Sequence, residues 1–292
     1  MNGIIILNKP AGCTSFEAVR SVSRLFSREK AGHTGTLDPM ATGVLPVLLG
    51  RATKLNQYLP ETGKSYIATV VFGVQTDTGD FEGRAIAENA ARPNREAWEN
   101  AVRNRVGKQL QVPPMYSALK KDGKPLYELA RRGETVDRTA REIEITELQT
   151  LFFDGNTARI QVSCSAGTYI RTLAEDLAAD CGCLAHLTAL QRTAACGFSL
   201  EEAVTLEELS TAADPQRYAV SLEKLFAGCP YVRLSPELAR LFLNGFVFPA
   251  GRAGLKAAGL QKVCVYREET FIGLGCVDGE GLLKKLWQTE TV

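Results

Sequence analysis

The chain has 292 residues, of which 45% are hydrophobic and 23% are charged. This composition is typical of a soluble globular protein with one large domain or two domains of unequal size. The N-terminus has no basic region before its short apolar run, which excludes an ordinary signal peptide, and no apolar stretch approaches the roughly 18 residues that a membrane span needs. We therefore expect a cytoplasmic protein without a membrane segment.

Positive charge is unevenly distributed along the chain, although the net charge is only +1. Residues 1–60 and residues 103–146 each carry a net charge of +4, whereas residues 200–226 carry a net charge of −4. Two separated basic segments can form one phosphate-facing surface after folding. An ordinary solvated charged face is the commoner explanation of such a pattern.

The eight cysteines are scattered and lie mostly in apolar contexts, which predicts reduced thiols in the core. Cys181 and Cys183 have His186 nearby, but this spacing matches no zinc pattern, and the chain has only two histidines. We predict no metal site.

The first elements are clearly marked. Residues 3–7 are bulky and apolar and predict a strand, and residues 15–26 predict a helix because Thr14 and Glu17 form a capping box ahead of apolar residues at helical spacing. Residues 31–43 combine glycines, threonines and a proline, which predicts a structured loop without regular elements.

The middle of the chain alternates strands with helices. A strand is predicted at 64–74 and a capped helix at 94–106, ended by Gly107. Residues 112–141 contain three prolines and many basic residues, which indicates a protruding insertion with a short helix at about 126–132. Three further strands are predicted at 143–153, 158–163 and 184–192. A last helix of this part is predicted at 169–179.

This mixture favours an α+β domain with a mixed or antiparallel sheet. The acidic residues 200–226 are interpreted as a connector packed on that domain. After Gly228, short strands at 263–266 and 271–275 indicate a small β-rich C-terminal domain.

Asp38 is the most distinctive residue of the loop. A residue before proline is biased towards extended geometry, so Asp38 could be held rigidly at the floor of a cleft. Asp38 could equally cap a helical segment that begins at Pro39. The spacing alone leaves both interpretations open.

Several ordered motifs decide between them. Residues 32–45 (GHTGTLDPMATGVL) resemble the signature of the bacterial tRNA pseudouridine-55 synthases, the TruB family. Further motifs that resemble this family follow in the same order and together cover most of residues 3–195: Asn8-Lys9-Pro10, Lys64-Ser65-Tyr66, Gln75-Thr76-Asp77-Thr78, PMYSALK at 114–120 and GTYIRT at 167–172. The C-terminal part resembles the PUA-like domain of the family less specifically.

The resemblance implies a pseudouridine-synthase catalytic domain at 1–228, with its RNA-binding insertion at about 112–141, and a PUA-like domain at 229–292. It also implies that the enzyme isomerises uridine 55 in the T-loop of tRNA by flipping the base, cleaving the glycosidic bond and re-forming it through C5. No cofactor, metal or obligate protein partner is implied, and we expect a monomer.

The same resemblance implies the site residues. Asp38 matches the catalytic nucleophile, and the sequence leaves open whether it attacks C6 of the base, attacks C1′ of the ribose or removes a ribose proton. Arg171 matches the arginine that pairs with this carboxylate. Tyr66 matches the active-site tyrosine, which stacks on the flipped base and is placed to take part in proton transfer at C5, so that Asp38, Tyr66 and Arg171 are the implied catalytic residues.

The other matched residues are expected to contact RNA. His33 corresponds to the histidine that displaces bases around the target, and Tyr169 and Leu190 correspond to residues of the pocket wall. Phosphate contacts are expected from Lys9 and from the basic cluster, which comprises Lys120, Lys121, Lys124, Arg131 and Arg132.

Three alternatives belong to other classes. A non-catalytic RNA-binding module conflicts with the presence of Asp38, Tyr66 and Arg171. A guide-RNA-dependent synthase is disfavoured by the short N-terminus and by the insertion. A two-carboxylate glycoside hydrolase requires a second acid paired with Asp38, which the sequence does not indicate.

Overall fold

A mixed nine-stranded sheet forms the centre of the larger part of the molecule in the computed structural model, which describes residues 2–60, 62–255 and 261–289. Its main strand order is β1-β3-β12-β4-β11-β10-β7, with β2 beside β3 and β13 beside β12. The strands of this part, including two small hairpins, are β1 (Gly3–Lys9), β2 (Ala31–His33), β3 (Thr42–Leu49), β4 (Lys64–Phe72), β5 (Val74–Thr76), β6 (Ala85–Glu88), β7 (Gly107–Gln111), β8 (Lys120–Lys121), β9 (Lys124–Pro125), β10 (Arg141–Phe153), β11 (Thr157–Cys164), β12 (Ala185–Ala195) and β13 (Phe198–Ser199).

The pairing of β3 with β12 is parallel, and the other pairings described in this sheet are antiparallel. The parallel contact places Thr42 opposite Gln191 and Gly43 opposite Arg192. The predicted α+β class with a mixed, largely antiparallel sheet is confirmed. The parallel contact matters for function because the Asp38 loop lies immediately before β3.

Helices cover one face of the sheet. The helices of the chain are α1 (Ser15–Leu25), α2 (Arg95–Asn104), α3 (Leu126–Arg131), α4 (Ile170–Asp180), α5 (Leu206–Thr211) and α6 (Pro236–Leu243). The predicted capping box of α1 is present, with Glu17 N donating to Thr14 Oγ1 and Thr14 N donating to Glu17 Oε2. In α2, Trp98 is fully buried, and its ring centroid lies 5.2 Å from that of Phe72 on β4. None of the helices described is both long and apolar enough to cross a membrane.

The C-terminal part and the end of the connector, with Leu222, Leu225 and Phe226, cover the opposite face, whereas α5 packs on the helical face through Leu209. Ile5 and Leu7 of β1 face the helices, whereas Ile4 and Ile6 pack against the connector and the C-terminal strands. This two-sided burial explains why β1 is continuously apolar. The connector contains α5 and three short 3₁₀ segments, and it contacts β1 through Val204 N, which donates to Ile6 O.

The C-terminal part is a five-stranded sheet with α6 packed on it. Its strands are β14 (Tyr231–Leu234), β15 (Phe248–Pro249), β16 (Gln261–Arg267), β17 (Thr270–Val277) and β18 (Leu282–Gln288). The prediction of a β-rich C-terminal part is confirmed, but its PUA-like character stays a prediction. Trp287 of β18 anchors this part to the larger one, because its indole Nε1 donates to Arg51 O at 3.0 Å.

The prediction that residues 31–43 lack regular structure is wrong at both ends. Residues 31–33 form β2, which pairs with the end of β3, and Thr42 and Gly43 belong to β3. Only residues 34–41 are irregular. The two ends of the segment adopt strand conformation because neighbouring strands pair with their backbone groups. Local sequence does not reveal such pairing.

Candidate active site

Three buried polar side chains hold the loop that carries Asp38. Arg192, which is 0% exposed, donates to the carbonyls of Gly35, Thr36 and Val44 at 3.0, 3.3 and 2.7 Å. Ser15 at the start of α1 accepts a hydrogen bond from Leu37 N at 2.8 Å and donates to Leu37 O at 2.9 Å. These contacts satisfy backbone groups that an irregular loop would otherwise leave unpaired.

Lys9 is the third of these side chains. Its Nζ donates to the carbonyls of Pro10, Pro39 and Ala41 at 2.8, 3.2 and 2.8 Å, and the residue is 0% exposed. The predicted phosphate contact does not fit this position, because all three donors of the ammonium are already used inside the protein. Lys9 instead fixes the loop on both sides of Asp38.

Asp38 forms a bidentate ion pair with Arg171. The guanidinium Nε lies 2.9 Å from Asp38 Oδ2, and Nη2 lies 3.2 Å from Asp38 Oδ1. The Arg171 side chain is only 4% exposed, whereas that of Asp38 is 32% exposed. The carboxylate therefore faces the cavity while the arginine lies behind it, which is the arrangement expected for a nucleophile and its supporting cation.

The remaining donors of Arg171 bind backbone carbonyls. Nη2 donates to Tyr116 O at 2.7 Å, and Nη1 donates to Thr78 O. Asp80, which is buried, has its Oδ2 3.9 Å from Arg171 Nε. Arg171 thus joins the Asp38 loop, the turn after β5 and the insertion at one point.

The start of α4 is fixed by Gln111, a residue that sequence analysis missed. The Gln111 side chain accepts from Tyr169 N at 2.8 Å and donates to Tyr169 O at 3.1 Å. This pair of bonds positions the first turn of α4, from which Arg171 projects. The signal was not readable, because a glutamine at a strand end is common and its partner is 58 residues away.

A cavity of about 280 Å³ opens above the carboxylate. Five residues named in sequence analysis line it: Asp38, Tyr66, Tyr169, Arg171 and Leu190. Lys64, Ser117, Leu119 and Thr168 also contribute to its wall; all four lie in the motifs of the resemblance, but none was assigned a role in the site. Apolar walls around one carboxylate and a tyrosine suit a flat base with little room for bulk water.

Burial governs the titration of Asp38 and Tyr66, two groups that line the cavity. Burial raises the pKa of Asp38 above the ordinary aspartate value, and the Arg171 guanidinium opposes this rise. Burial also raises the pKa of Tyr66, while Arg192 on the neighbouring strand opposes the rise. Tyr66 therefore keeps its phenolic proton at neutral pH.

His33 does not belong to the described wall of the cavity. It ends β2, and its Nδ1 is buried without a hydrogen-bond partner in the described residues. Burial, with Arg192 and Lys64 nearby, lowers the pKa of His33, so the imidazole is neutral at neutral pH. The expected RNA contact of His33 stays a prediction.

The basic cluster lies on the insertion, around β8, β9 and α3. All five of its residues are exposed, and none forms an ion pair within the described parts of the chain. The predicted phosphate contacts are compatible with these positions. For metals, no group of three or more His, Cys, Asp or Glu residues capable of holding an ion occurs in the ranges that the structure describes.

Comparison with solved structures finds the same fold in one chain of each of two complexes. The chain superimposes on a chain of a Cbf5-Nop10-Gar1 complex with a TM-score of 0.73 and 23% identity, over 99% of this chain and 84% of that one. It superimposes on a chain of an H/ACA RNP bound to a substrate RNA containing 2′-deoxyuridine with a TM-score of 0.71 and 24% identity, again over 99% and 84%. The fold is therefore one that both of these complexes contain.

The family is shown by sequence. Residues 23–170 match the N-terminal domain of the TruB family pseudouridylate synthases, and residues 171–227 match the C-terminal domain of tRNA pseudouridylate synthase B. The tRNA pseudouridine synthase B of Aromatoleum aromaticum is 45% identical over 100% of this chain and 94% of that protein. That of Chromobacterium violaceum is 45% identical over 97% of this chain and 93% of that protein. The chain belongs to the TruB family of pseudouridylate synthases.

Proposed function

We propose that this chain converts uridine 55 in the T-loop of tRNA to pseudouridine. The observation that carries the proposal is the Asp38 carboxylate, held by two donors of Arg171 at the floor of a cavity lined by Tyr66 and Leu190. Family membership and the names of the relatives supply the reaction class.

The reaction breaks the N1–C1′ bond of the uridine and forms a C5–C1′ bond. C5 loses its proton and N1 gains one, so atoms and electrons balance without an oxidant, a reductant or a metal. Asp38 is the nucleophile, Arg171 keeps it ionised, and Tyr66 stacks on the base beside C5. Leu190 and Tyr169 complete the wall against which the flipped base packs.

A base inside the folded T-loop must leave its stack before it reaches the carboxylate. The exposed basic cluster on the insertion binds phosphates and offsets part of this cost. Because the chain carries its own RNA-binding insertion, we propose a monomer that acts on cytoplasmic tRNA without an obligate protein partner.

Tritium release tests the proposal. The chain is incubated with an unmodified tRNA transcript that contains 5-tritiated uridine, and a transcript with cytidine at position 55 is the control. We expect release of one tritium per tRNA from the first transcript and none from the second. Equal release from both would refute the choice of uridine 55, and no release from either would refute the reaction.

A further inference from the structure

One cationic side chain at the cavity has no hydrogen-bond or ion-pair partner within the described protein. Lys64, the first residue of β4, lines the cavity, and its Nζ has no hydrogen-bond or ion-pair partner in the ranges that the structure describes. Three other cations near the same loop are fully engaged. Lys9 and Arg192 bind backbone carbonyls, and Arg171 binds Asp38 and two carbonyls.

Lys64 also lies close to a second positive charge. A Cβ added to Gly35 would lie 3.1 Å from Lys64 Nζ and 3.7 Å from Arg192 Nη1, so both cationic side chains lie beside this glycine. Burial and the neighbouring Arg192 lower the pKa of Lys64, whereas Cys196 and Cys164 oppose this fall. His33 also lies near Lys64 and is neutral at neutral pH, and burial raises the pKa of Cys164, so that thiol is neutral. Within residues 2–60, 62–255 and 261–289, no carboxylate forms an ion pair with Lys64 or Arg192, which favours binding of an anion.

The position of Lys64 on its strand matches the shape of a nucleotide. Lys64 and Tyr66 are two residues apart in β4 and therefore project from the same face, about 6.6 Å apart along the strand. This separation is comparable to that between the phosphate and the base of one nucleotide. The uracil ring itself is neutral, so it does not satisfy the paired positive charges.

We propose that Lys64 binds the backbone phosphate that adjoins the flipped nucleotide and thereby sets the depth at which the base enters the cavity. The inference rests on the proposed function, because it concerns the same RNA in the same cavity. When the target nucleotide leaves its stack, its adjoining phosphate moves with the base and replaces water around the Lys64 ammonium. Lys64 is a positioning residue, since it acts on the phosphate and not on the reacting bond.

Substitutions at Lys64 provide the first test. The full-length chain is assayed under single-turnover conditions with a T-arm stem-loop RNA, using Lys64→Gln, Lys64→Arg and the matched control Lys224→Gln. Lys224 is exposed in the connector and does not line the cavity. We expect Lys64→Gln to lower kcat/KM about 10- to 100-fold, Lys64→Arg to recover much of the loss because it keeps the charge, and Lys224→Gln to have no effect.

A salt titration separates charge from packing. Loss of one phosphate contact should reduce the slope of log affinity against log salt by about 0.7 for Lys64→Gln. Thermal unfolding of the same variants identifies any general loss of structure. A wild-type salt slope or wild-type kcat/KM in Lys64→Gln would overturn the inference, as would Lys64→Arg being as defective as Lys64→Gln.

Neutral linkages in the RNA identify the phosphate. Stem-loops carry a methylphosphonate either 5′ or 3′ of the target uridine, each next to a 2′-O-methyl residue, and the all-phosphate RNAs with the same 2′-O-methyl residue are the references. We expect one of the two methylphosphonates to lower the wild-type rate as much as the Lys64→Gln substitution lowers it. The same methylphosphonate should lower the rate of Lys64→Gln little further. Losses that multiply at both linkages would overturn the phosphate contact.

The experiment also separates this inference from the proposed function. Wild-type conversion of the unmodified stem-loop measures the function directly. If that conversion is absent, the proposed function fails. If it is present and the losses multiply, only the role of Lys64 fails.

Discussion

At the scale of single residues, the site depends on how Asp38 is kept ionised. Burial raises the pKa of its carboxyl, and Arg171 opposes that rise through two hydrogen bonds. A group with a raised pKa loses its charge at a higher pH as the solution is acidified, so the acid limb of the pH–rate profile should lie above the ordinary aspartate range.

Arg171→Lys tests this balance. A lysine supplies one point charge instead of a planar fork, so the carboxyl is less well stabilised in its ionised form. We expect the acid limb of kcat/KM to move to higher pH than in the wild type, with low activity at neutral pH and partial recovery in alkaline solution. An acid limb at the wild-type pH, with full activity, would show that the pairing is not needed.

Arg192 acts on the same carboxylate through the backbone. Its three carbonyl contacts position residues 35–44, so their loss should displace Asp38 while the folded chain still binds tRNA. A displacement of about 1 Å costs on the order of 10²-fold in rate. We expect Arg192→Met to lower the single-turnover rate by this factor at a temperature at which the variant is fully folded.

Leu49→Ala is the control for Arg192→Met, because Leu49 is fully buried in β3 and, among the hydrogen bonds described, none joins its side chain to residues 34–41. It should reduce stability by about 2–5 kcal/mol without changing the rate per folded molecule. A wild-type rate in Arg192→Met would contradict the positioning role.

At the scale of elements, the parallel contact between β3 and β12 requires a glycine. Gly43 has a φ of +102°, and an added Cβ would lie 2.2 Å from Arg192 O. Gly12 has a φ of +78°, but apart from its chain neighbours no atom of the described residues lies within 4 Å of an added Cβ. Alanine substitution at Gly12 therefore measures the cost of a positive φ alone, whereas substitution at Gly43 adds the cost of a steric clash.

We expect Gly43→Ala to lower the free energy of unfolding by about 3–5 kcal/mol and Gly12→Ala to lower it by only about 1–2 kcal/mol. Urea denaturation of both variants measures the difference. Equal losses of unfolding free energy in the two variants would mean that β3 and β12 can move apart at little cost and that their close approach is not required.

The elements also show which features sequence alone can predict. The capping box of α1, the strands with β-branched residues and the short helix of the insertion were predicted, because their signals are local. The elements missed include strands β3, β7 and β18 and helix α6. Strand β7 (GKQLQ) has few apolar residues, and its position is set by pairing with β10.

The site was predictable only in part for the same reason. The residues of the resemblance, Asp38, Tyr66, Tyr169, Arg171 and Leu190, do meet at one cavity. Lys64, Gln111 and Arg192 were missed as site residues, because their burial and partners arise from pairings between distant strands. Lys9 was expected to contact phosphate, and its burial could not be predicted because its three carbonyl partners lie on or beside a loop of irregular path.

At the scale of the whole molecule, the larger part and the C-terminal part share a core. Trp287 is buried in a cluster with Ile4, Ile6 and Phe226, and its indole bonds Arg51 O. Such continuity predicts that both parts unfold together.

Trp287→Ala should therefore lower the free energy of unfolding of the entire chain by about 3–5 kcal/mol in a single transition. Near-UV and far-UV circular dichroism during urea denaturation would follow both parts. A separate early transition that leaves the larger part unchanged would contradict a shared core. The rate of catalysis per folded molecule should stay at the wild-type value.

The account as a whole depends on Asp38 as nucleophile, and Asp38→Asn tests this most directly. The asparagine has nearly the same shape but cannot supply the carboxylate, so tRNA binding should persist while single-turnover formation of pseudouridine falls on the order of 10⁴-fold or more. Filter binding and tritium release on the same tRNA transcript measure the two quantities. Retained binding with lost turnover is the predicted result, and near-normal turnover in Asp38→Asn would contradict the assigned chemistry.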